Sequence, residues 1–193
     1  MDAIEALLTR TSAPRLGGPV PDKAVLENIF KAGLRAPDHA LLRPWRFLLV
    51  SGHDRYLLGN LFAAAQLEDE PDASEIALEK TRNKPLRAPL IVVVVARIAE
   101  HPKVPEVEQL LSAGAAAENM MVAAHAQGLG AMWRTGGMAY HRRVHAGLGL
   151  AGNERVVGFL YLGAIEGRSR LLPDLAVEDF FERWSGDKTS ADE

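Results

Sequence analysis

A chain of 193 residues that is 48% hydrophobic and 24% charged suits one soluble domain with its own core, and a net charge of -3 gives no electrostatic reason to bind nucleic acid. Without a single cysteine the chain has no disulfides, no thiolate metal site and no cysteine nucleophile, so any redox chemistry requires a bound cofactor. The N-terminus lacks the basic-then-apolar pattern of a signal peptide, and no apolar run reaches the ~18 residues of a membrane span, which makes the cytoplasm the expected location and small molecules or copies of the chain the expected partners.

Residues 2–8 read as a short helix with Ile4, Leu7 and Leu8 on one face, followed by a loop rich in Pro and Gly up to Pro21. Asp22 is the expected N-cap of a second helix, which Leu26, Ile29 and Phe30 carry to about Arg35. A polar loop from Arg35 to Trp45 leads into a strand at 46–50, and a helix follows at 53–66 with Leu57, Leu58 and Leu61 on one side. The acidic stretch 67–75 shows no regular pattern and reads as a mobile segment.

The run 90–96, Leu-Ile-Val-Val-Val-Val-Ala, is β-branched and apolar on both faces, so it belongs in the middle of a sheet covered by helices on both sides. A long helix rich in Ala, Leu and Met occupies about 107–127, apolar nearly all round and therefore buried, with Gly128 as its stop. Short apolar 129–133 reads as a strand, 140–148 as a helix, and 155–163 as the last strong strand. Residues 164–193 have too little periodic apolar content for a core, which predicts a tail that packs on a partner subunit or runs over the surface.

Gly147-x-Gly149-x-x-Gly152 matches a dinucleotide fingerprint in letters but lies between a helix and a strand, the reverse of the order that brings a helix N-terminus to a pyrophosphate, so it reads as a helix stop and turn. His141 and His145 have the spacing of a metal pair, yet Arg142 and Arg143 between them raise the local positive charge, and a solvated helix face is the reading preferred. No Gly-x-Ser-x-Gly elbow supports a serine nucleophile. Three clusters remain. Arg10-Thr11-Ser12 offers a guanidinium and two hydroxyls to a phosphate; the 35–45 loop offers Arg35, His39 and Arg43 beside Trp45; Trp133-Arg134-Thr135-Gly136 follows an apolar strand, where ligand sites concentrate. All three suit an anionic, ring-bearing ligand.

Their order resembles the nitroreductase family of flavoproteins and, within it, the short bacterial YdjA-like branch. The resemblance is carried by Arg10-Thr-Ser12, Ala36-Pro37-Asp38-His39 with Pro44-Trp45, Arg87-Ala-Pro89, Trp133-Arg134-Thr135-Gly136 and the segment from Gly158 to Gly163, and it spans nearly the whole chain. It implies an α+β fold, a three-layer α/β/α sandwich with a central mixed sheet, in an interlocked homodimer with FMN at two interface sites. By position, Arg10, Thr11, Ser12, Trp133, Arg134 and Thr135 look like the FMN contacts of one subunit, with Arg35 and His39 reaching over from the partner. Ala123, Ala124, His125, Ala126, Gln127 and Gly128 look like the region associated with NADH or NADPH. The 164–193 tail would cross to the other subunit.

The implied activity is reduction of an electron-poor acceptor, nitroaromatic or quinone, at the expense of NAD(P)H by ping-pong hydride transfer, with no catalytic side chain and no metal. A flavin-binding carrier or sensor, or a relative that has lost the cofactor, is the alternative. Two departures bear on the site: Leu41 and Arg43 stand where most of the family has Asn and Gln, and Pro14 stands where many relatives have a Lys near the ring. The missing positive charge then falls to Lys84, Arg82 or Arg134, while Arg168 and Arg170 are further phosphate candidates or members of a solvated loop.

Overall fold

The computed structural model describes residues 1–167 and 171–185. Arg168 and Arg170 therefore lie outside the described residues.

The first helix, α1 (Ala3–Thr9), starts where Asp2 accepts the Glu5 amide at 2.9 Å. Strand β1 (Leu16–Gly17) is short, and α2 (Lys23–Gly33) follows. Asp22 precedes α2 as expected, but its side chain makes no capping bond, and the helix stops two residues short of Arg35 as the chain approaches Pro37. Strand β2 (Trp45–Ser51) leads to α3 (Asp54–Asp69), which runs beyond residue 66 into the stretch read as mobile. Ser74 then caps an unforeseen helix, α4 (Glu75–Arg82), by accepting the Ala77 amide, and a 3-10 turn over Lys84–Arg87 follows. Strand β3 (Leu90–Arg97), α5 (Glu106–Ala126), β4 (Gly130–Arg134), α6 (Arg142–Gly147) and β5 (Glu154–Ile165) complete the order.

The strands make one sheet in the order β1-β5-β3-β2, with β4 also on β5, and every ladder among them is antiparallel. Its mixed character rests on a parallel bridge between Ser12 and Ala131. As the apolar run predicts, β3 is central and its residues 90–96 are buried on both faces. Ile91, Val93 and Val95 pack toward Leu58 and Phe62 of α3 and Val144 of α6; Val92 and Val94 pack toward Ile29 of α2 and Met120 and Met121 of α5. Three layers result. Strand β5 extends two residues past the expected end, since Ile165 and Ala164 pair with Leu16 and Gly17.

Two polar devices fix the frame. The fully buried amide of Gln109 accepts from Ala99 N and donates to the Ala99 and Val104 carbonyls, tying the β3–α5 connection to α5. Glu154, only 6% exposed, accepts from Arg46 at 2.6 and 2.7 Å and from Ala151 N at 3.0 Å, with Arg97 at 3.6 Å. On α3, a Cβ at Gly59 would stand 2.1 Å from the Arg82 carbonyl oxygen, so glycine alone lets α4 lie this close and sets the Lys84–Arg87 turn beside the sheet.

The paired Arg46 guanidinium holds the Glu154 carboxyl down at about 2, against burial that acts the other way. A carboxyl depressed in the folded state stabilises the fold above its ordinary value of 4.5, and that contribution is lost as pH falls from there through about 2. Urea titrations should therefore show Glu154→Gln destabilised by about 3 kcal/mol at neutral pH, with the gap to the parent chain closing at acid pH. Equal stabilities at neutral pH would contradict this role for Glu154.

Candidate functional site

The site is built where β4 meets β5. Arg134 lies opposite Phe159, Trp133 opposite Leu160 and Ala131 opposite Leu162. On its other edge β5 carries a bulge: Val94 pairs with Gly158 and Val95 with Val156, so Val157 is the extra residue. Its carbonyl accepts from Trp133 Nε1 at 3.3 Å. Gly158 leaves the space the indole needs, since a Cβ there would lie 2.1 Å from that same nitrogen. Val157 and Gly158 thus fix the angle of Trp133, which lines the adjoining cavity.

That cavity, about 420 Å³, brings together Trp133, Arg134 and Thr135 with Gly136 and Gly137, which leave its mouth open. Phe62, Phe159 and Tyr161 form an aromatic wall, and Lys84 and Arg87 enter from the turn after α4. A second cavity of about 490 Å³, lined by Pro14, Arg15, Leu86 and Glu166, shares Arg87 and Arg134 with the first. The Arg134 guanidinium stands 5.5 Å over the Tyr161 ring, and its Nε is buried without a hydrogen-bond partner. Burial pushes the Tyr161 phenol up to about 12, so it stays neutral at physiological pH. Burial, then Arg87 and Lys80, lowers the pKa of the Lys84 ammonium. Among the three cations read as candidates for the missing charge, Lys84 and Arg134 meet at the cavity, whereas Arg82 is held by Glu75 and Glu79. Arg87 and Tyr161 were not singled out as site residues; the signal for Arg87 was its place in a turn just before the apolar β3 run.

Arg10, Thr11 and Ser12 run beside β4, fixed by the Ser12–Ala131 bridge and an Ala13 N to Ala131 O bond of 3.0 Å. Arg10 Nε meets Glu118 of α5 at 3.2 Å, which orients the guanidinium, while Nη1 is buried and unpartnered. Among the described residues no hydrogen bond engages the Thr11 or Ser12 hydroxyl. An oriented guanidinium with an orphaned nitrogen, beside two free hydroxyls, fits a phosphate group.

Arg35 and His39 are elsewhere. Arg35 lines a third cavity of about 480 Å³ with Asp38, Leu41, Arg43 and Trp45, and His39 Nδ1 lies 2.7 Å from Glu108 Oε2. Neither lines the cavity of Trp133 within one chain. Ala40, Leu41 and Arg43 have left-handed backbones (φ 62, 53 and 47°), a costly run for side-chain-bearing residues. Asp38 clamps it, accepting from Leu42 N and Arg43 N at 3.2 and 2.6 Å, and buried Trp45 anchors its end against Ala36, Ala113 and Ala116.

Residues 123–128 line none of these cavities. Ala124 is buried, His125 Nε2 meets Thr9 Oγ1 at 2.9 Å, and Gln127 accepts from Asn28 at 3.0 Å and donates to the Ala123 carbonyl at 3.0 Å, so this segment ties α5 to α1 and α2. Gly128 ends the helix with φ +80°. His141 caps α6 by accepting Arg143 N and turns Nε2 to Asp69 at 3.3 Å, while His145 Nε2 lies 2.7 Å from the Ala139 carbonyl oxygen, so the two rings do not converge. The Gly147-x-Gly149 segment is the helix stop it reads as: α6 ends at Gly147 and Gly149 has φ +66°.

A family model for the nitroreductase family matches residues 10–164. YdjA of Escherichia coli K12, provisionally named an NAD(P)H nitroreductase, is 43% identical over 84% of this chain and 88% of its own; a Haemophilus influenzae protein of similar provisional name is 37% identical over the same shares. The fold superimposes on a nitroreductase-like family protein from Bacillus cereus with a TM-score of 0.82 at 22% identity, covering 96% of this chain and 97% of that one. It also superimposes on NfnB from a sphigopyxis strain, an FMN and NADPH-dependent nitroreductase, at 0.76 and 18% identity, covering 96% and 100%. The chain belongs to the nitroreductase family. Both the fold and the sequence thus agree with the resemblance drawn from its three clusters.

Because glycine is the only residue that leaves room for the indole at 158, Gly158→Ala should displace Trp133, cost about 1–3 kcal/mol, and alter near-ultraviolet circular dichroism in the tryptophan region. Unchanged stability and an unchanged spectrum would show that Trp133 is not held in this way.

Proposed function

We propose that the protein is a flavin-dependent oxidoreductase that uses NADH or NADPH to reduce an electron-poor acceptor of nitroaromatic or quinone type. Bound FMN would supply a two-electron relay: NAD(P)H gives up a hydride and leaves as NAD(P)⁺, after which a quinone takes two electrons and two protons to become the hydroquinone. The chain's own groups bind, orient and exclude water. Arg10, with the Thr11 and Ser12 hydroxyls, holds the phosphate. Trp133, Arg134 and Thr135 border the ring, and the aromatic wall of Phe62, Phe159 and Tyr161 keeps that side of the cavity dry. Lys84 and Arg134 supply positive charge where negative charge develops during reduction. No side chain is required as nucleophile or general base.

The observation that carries this reading is the pair of buried, unsatisfied guanidinium nitrogens, Arg10 Nη1 beside β4 and Arg134 Nε at its end, in a chain of this family. The provisional name of YdjA and the FMN and NADPH dependence of NfnB support the choice of cofactor and reductant. In this reading the enzyme is a homodimer in which Arg35 and His39 complete the partner's flavin site, and residues 123–128 brace α1 and α2 behind Arg10. Exposed apolar surface supports a subunit interface: Ile4, Leu7 and Leu8 of α1, Val107 and Leu111 of α5, and Phe181 and Trp184 of the tail, the last 87% exposed. No helix among the described residues is long and apolar enough to cross a membrane, and the cytoplasm remains the location proposed.

Freshly purified protein should show flavin absorbance bands and oxidise NADH or NADPH steadily when a quinone or nitro acceptor is present. Flavin without turnover would make it a carrier or sensor, and no affinity for FMN would reduce it to the fold alone. Arg10→Ala should weaken FMN binding about a hundredfold, measured by flavin retained through gel filtration, since a charge-assisted bond is lost. Fully loaded yellow protein after that change would contradict the phosphate assignment.

A further inference from the structure

Six arginines of this molecule are neutralised by the chain itself. Arg10, Arg46, Arg82, Arg97, Arg143 and Arg155 each have a carboxylate at ion-pair distance. Two neighbouring cavities gather cations without such a partner: Arg15, Lys84, Arg87 and Arg134 converge there, and among the described residues none of the four makes an ion pair. One carboxylate, Glu166, lies on the rim of the second cavity, and Tyr161 remains a neutral phenol. Four cations against one anion in a partly enclosed cleft form a standing positive field, which a bound anion relieves.

Their number exceeds what the cofactor reading requires. That reading assigns the phosphate to Arg10, Thr11 and Ser12, whose guanidinium is fixed by Glu118 on α5, and it uses Lys84 and Arg134 at the ring. Arg87 is left over. It is exposed, it belongs to the 3-10 turn set in place by the close α3–α4 contact, and it lines both cavities. The second cavity, beside the one given to the flavin ring, is of a size that takes a small ring ligand and has apolar walls from Pro14, Leu16 and Leu86 to hold one.

We propose that the acceptor is an aromatic compound bearing a negative charge, such as a ring carboxylate, and that Arg87 is the residue that recognises that charge. This rests on the reading of the site as a flavin oxidoreductase. The ring lies against the apolar wall and the anionic substituent faces Arg87. For a nitroaromatic acid the reaction balances as two electrons and two protons taken by the nitro group to give the nitroso compound and water, the hydride coming from NAD(P)H and the second proton from solvent; the carboxylate is unchanged.

The test uses the full-length protein as purified, with benzoate and benzamide as non-reacting probes of nearly equal shape. Calorimetric titration should show benzoate bound about tenfold more tightly than benzamide, and Arg87→Gln should collapse that preference toward one. In turnover, the ratio of kcat/KM for 4-nitrobenzoate over 4-nitrobenzamide should fall by a similar factor in the same variant, which removes the intrinsic difference in reactivity between the two acceptors. Circular dichroism and flavin content establish that the variant is folded and loaded. Equal affinity for the two probes in the parent protein, or a preference that survives both in Arg87→Gln and in the double variant Lys84→Gln/Arg87→Gln, would overturn the inference. An Arg87-dependent preference for benzoate in protein with no affinity for flavin would uphold the anion site and overturn the oxidoreductase reading instead.

Discussion

Everything at the site depends on β5 being shared. One edge of this strand pairs with β3 and the other with β4, while its last residues take β1, so a single segment sets the position of every neighbouring strand. The bulge at Val157 is where these demands meet. By inserting a residue on the β3 edge it presents a carbonyl to the Trp133 indole, and the adjacent Gly158 leaves out a side chain that would obstruct it. The same sharing fixes Arg134 opposite Phe159 and brings the Arg10–Ser12 segment alongside β4 through Ala131. A ligand site assembled from distant parts of the sequence is thereby held on one rigid element.

Electrostatics differs between the frame around Glu154 and the cleft. In the frame, Glu154 satisfies two arginines from neighbouring strands and is itself fully hydrogen-bonded, the condition under which a buried carboxylate is tolerated. In the cleft the opposite holds: positive groups gather without enough carboxylate to balance them, and two guanidinium nitrogens remain unsatisfied near β4. Such a cost persists in a folded protein when the missing partner is a ligand rather than a side chain.

Much of this was legible in the sequence, for identifiable reasons. The Val-rich run announced β3 because a strand buried on both faces needs apolar residues at every position, and the Ala-rich helix announced α5 because small side chains let it lie flat on the sheet. Helix α4 escaped because its apolar positions are few, although Ser74 as cap, Glu75 in the first turn and Lys80 and Arg82 in the last were its signals. The residues of Arg10–Ser12 and Trp133–Thr135 were identifiable by chemistry, but their adjacency was not, because it arises from a bridge between positions 12 and 131 that no local pattern encodes. Arg87, quoted for the resemblance, was not read as a site residue for a related reason: its place beside two cavities shared with Arg134 comes from the α3–α4 contact at Gly59 and not from its sequence neighbours. The left-handed run at Ala40, Leu41 and Arg43 was hidden as well, since none of these is a residue that advertises such a backbone.

The strained loop and the phosphate grip are the two ends of one proposed arrangement, in which a subunit binds a flavin chiefly through its own Arg10 segment and lends Arg35 and His39 to the other. Its central claim is that the cofactor is held by its phosphate. Titrating flavin-stripped protein with FMN and with riboflavin, which lacks only that group, tests it most directly. FMN should bind about a hundredfold more tightly than riboflavin, and low salt should widen the gap. Equal affinity for the two would contradict it.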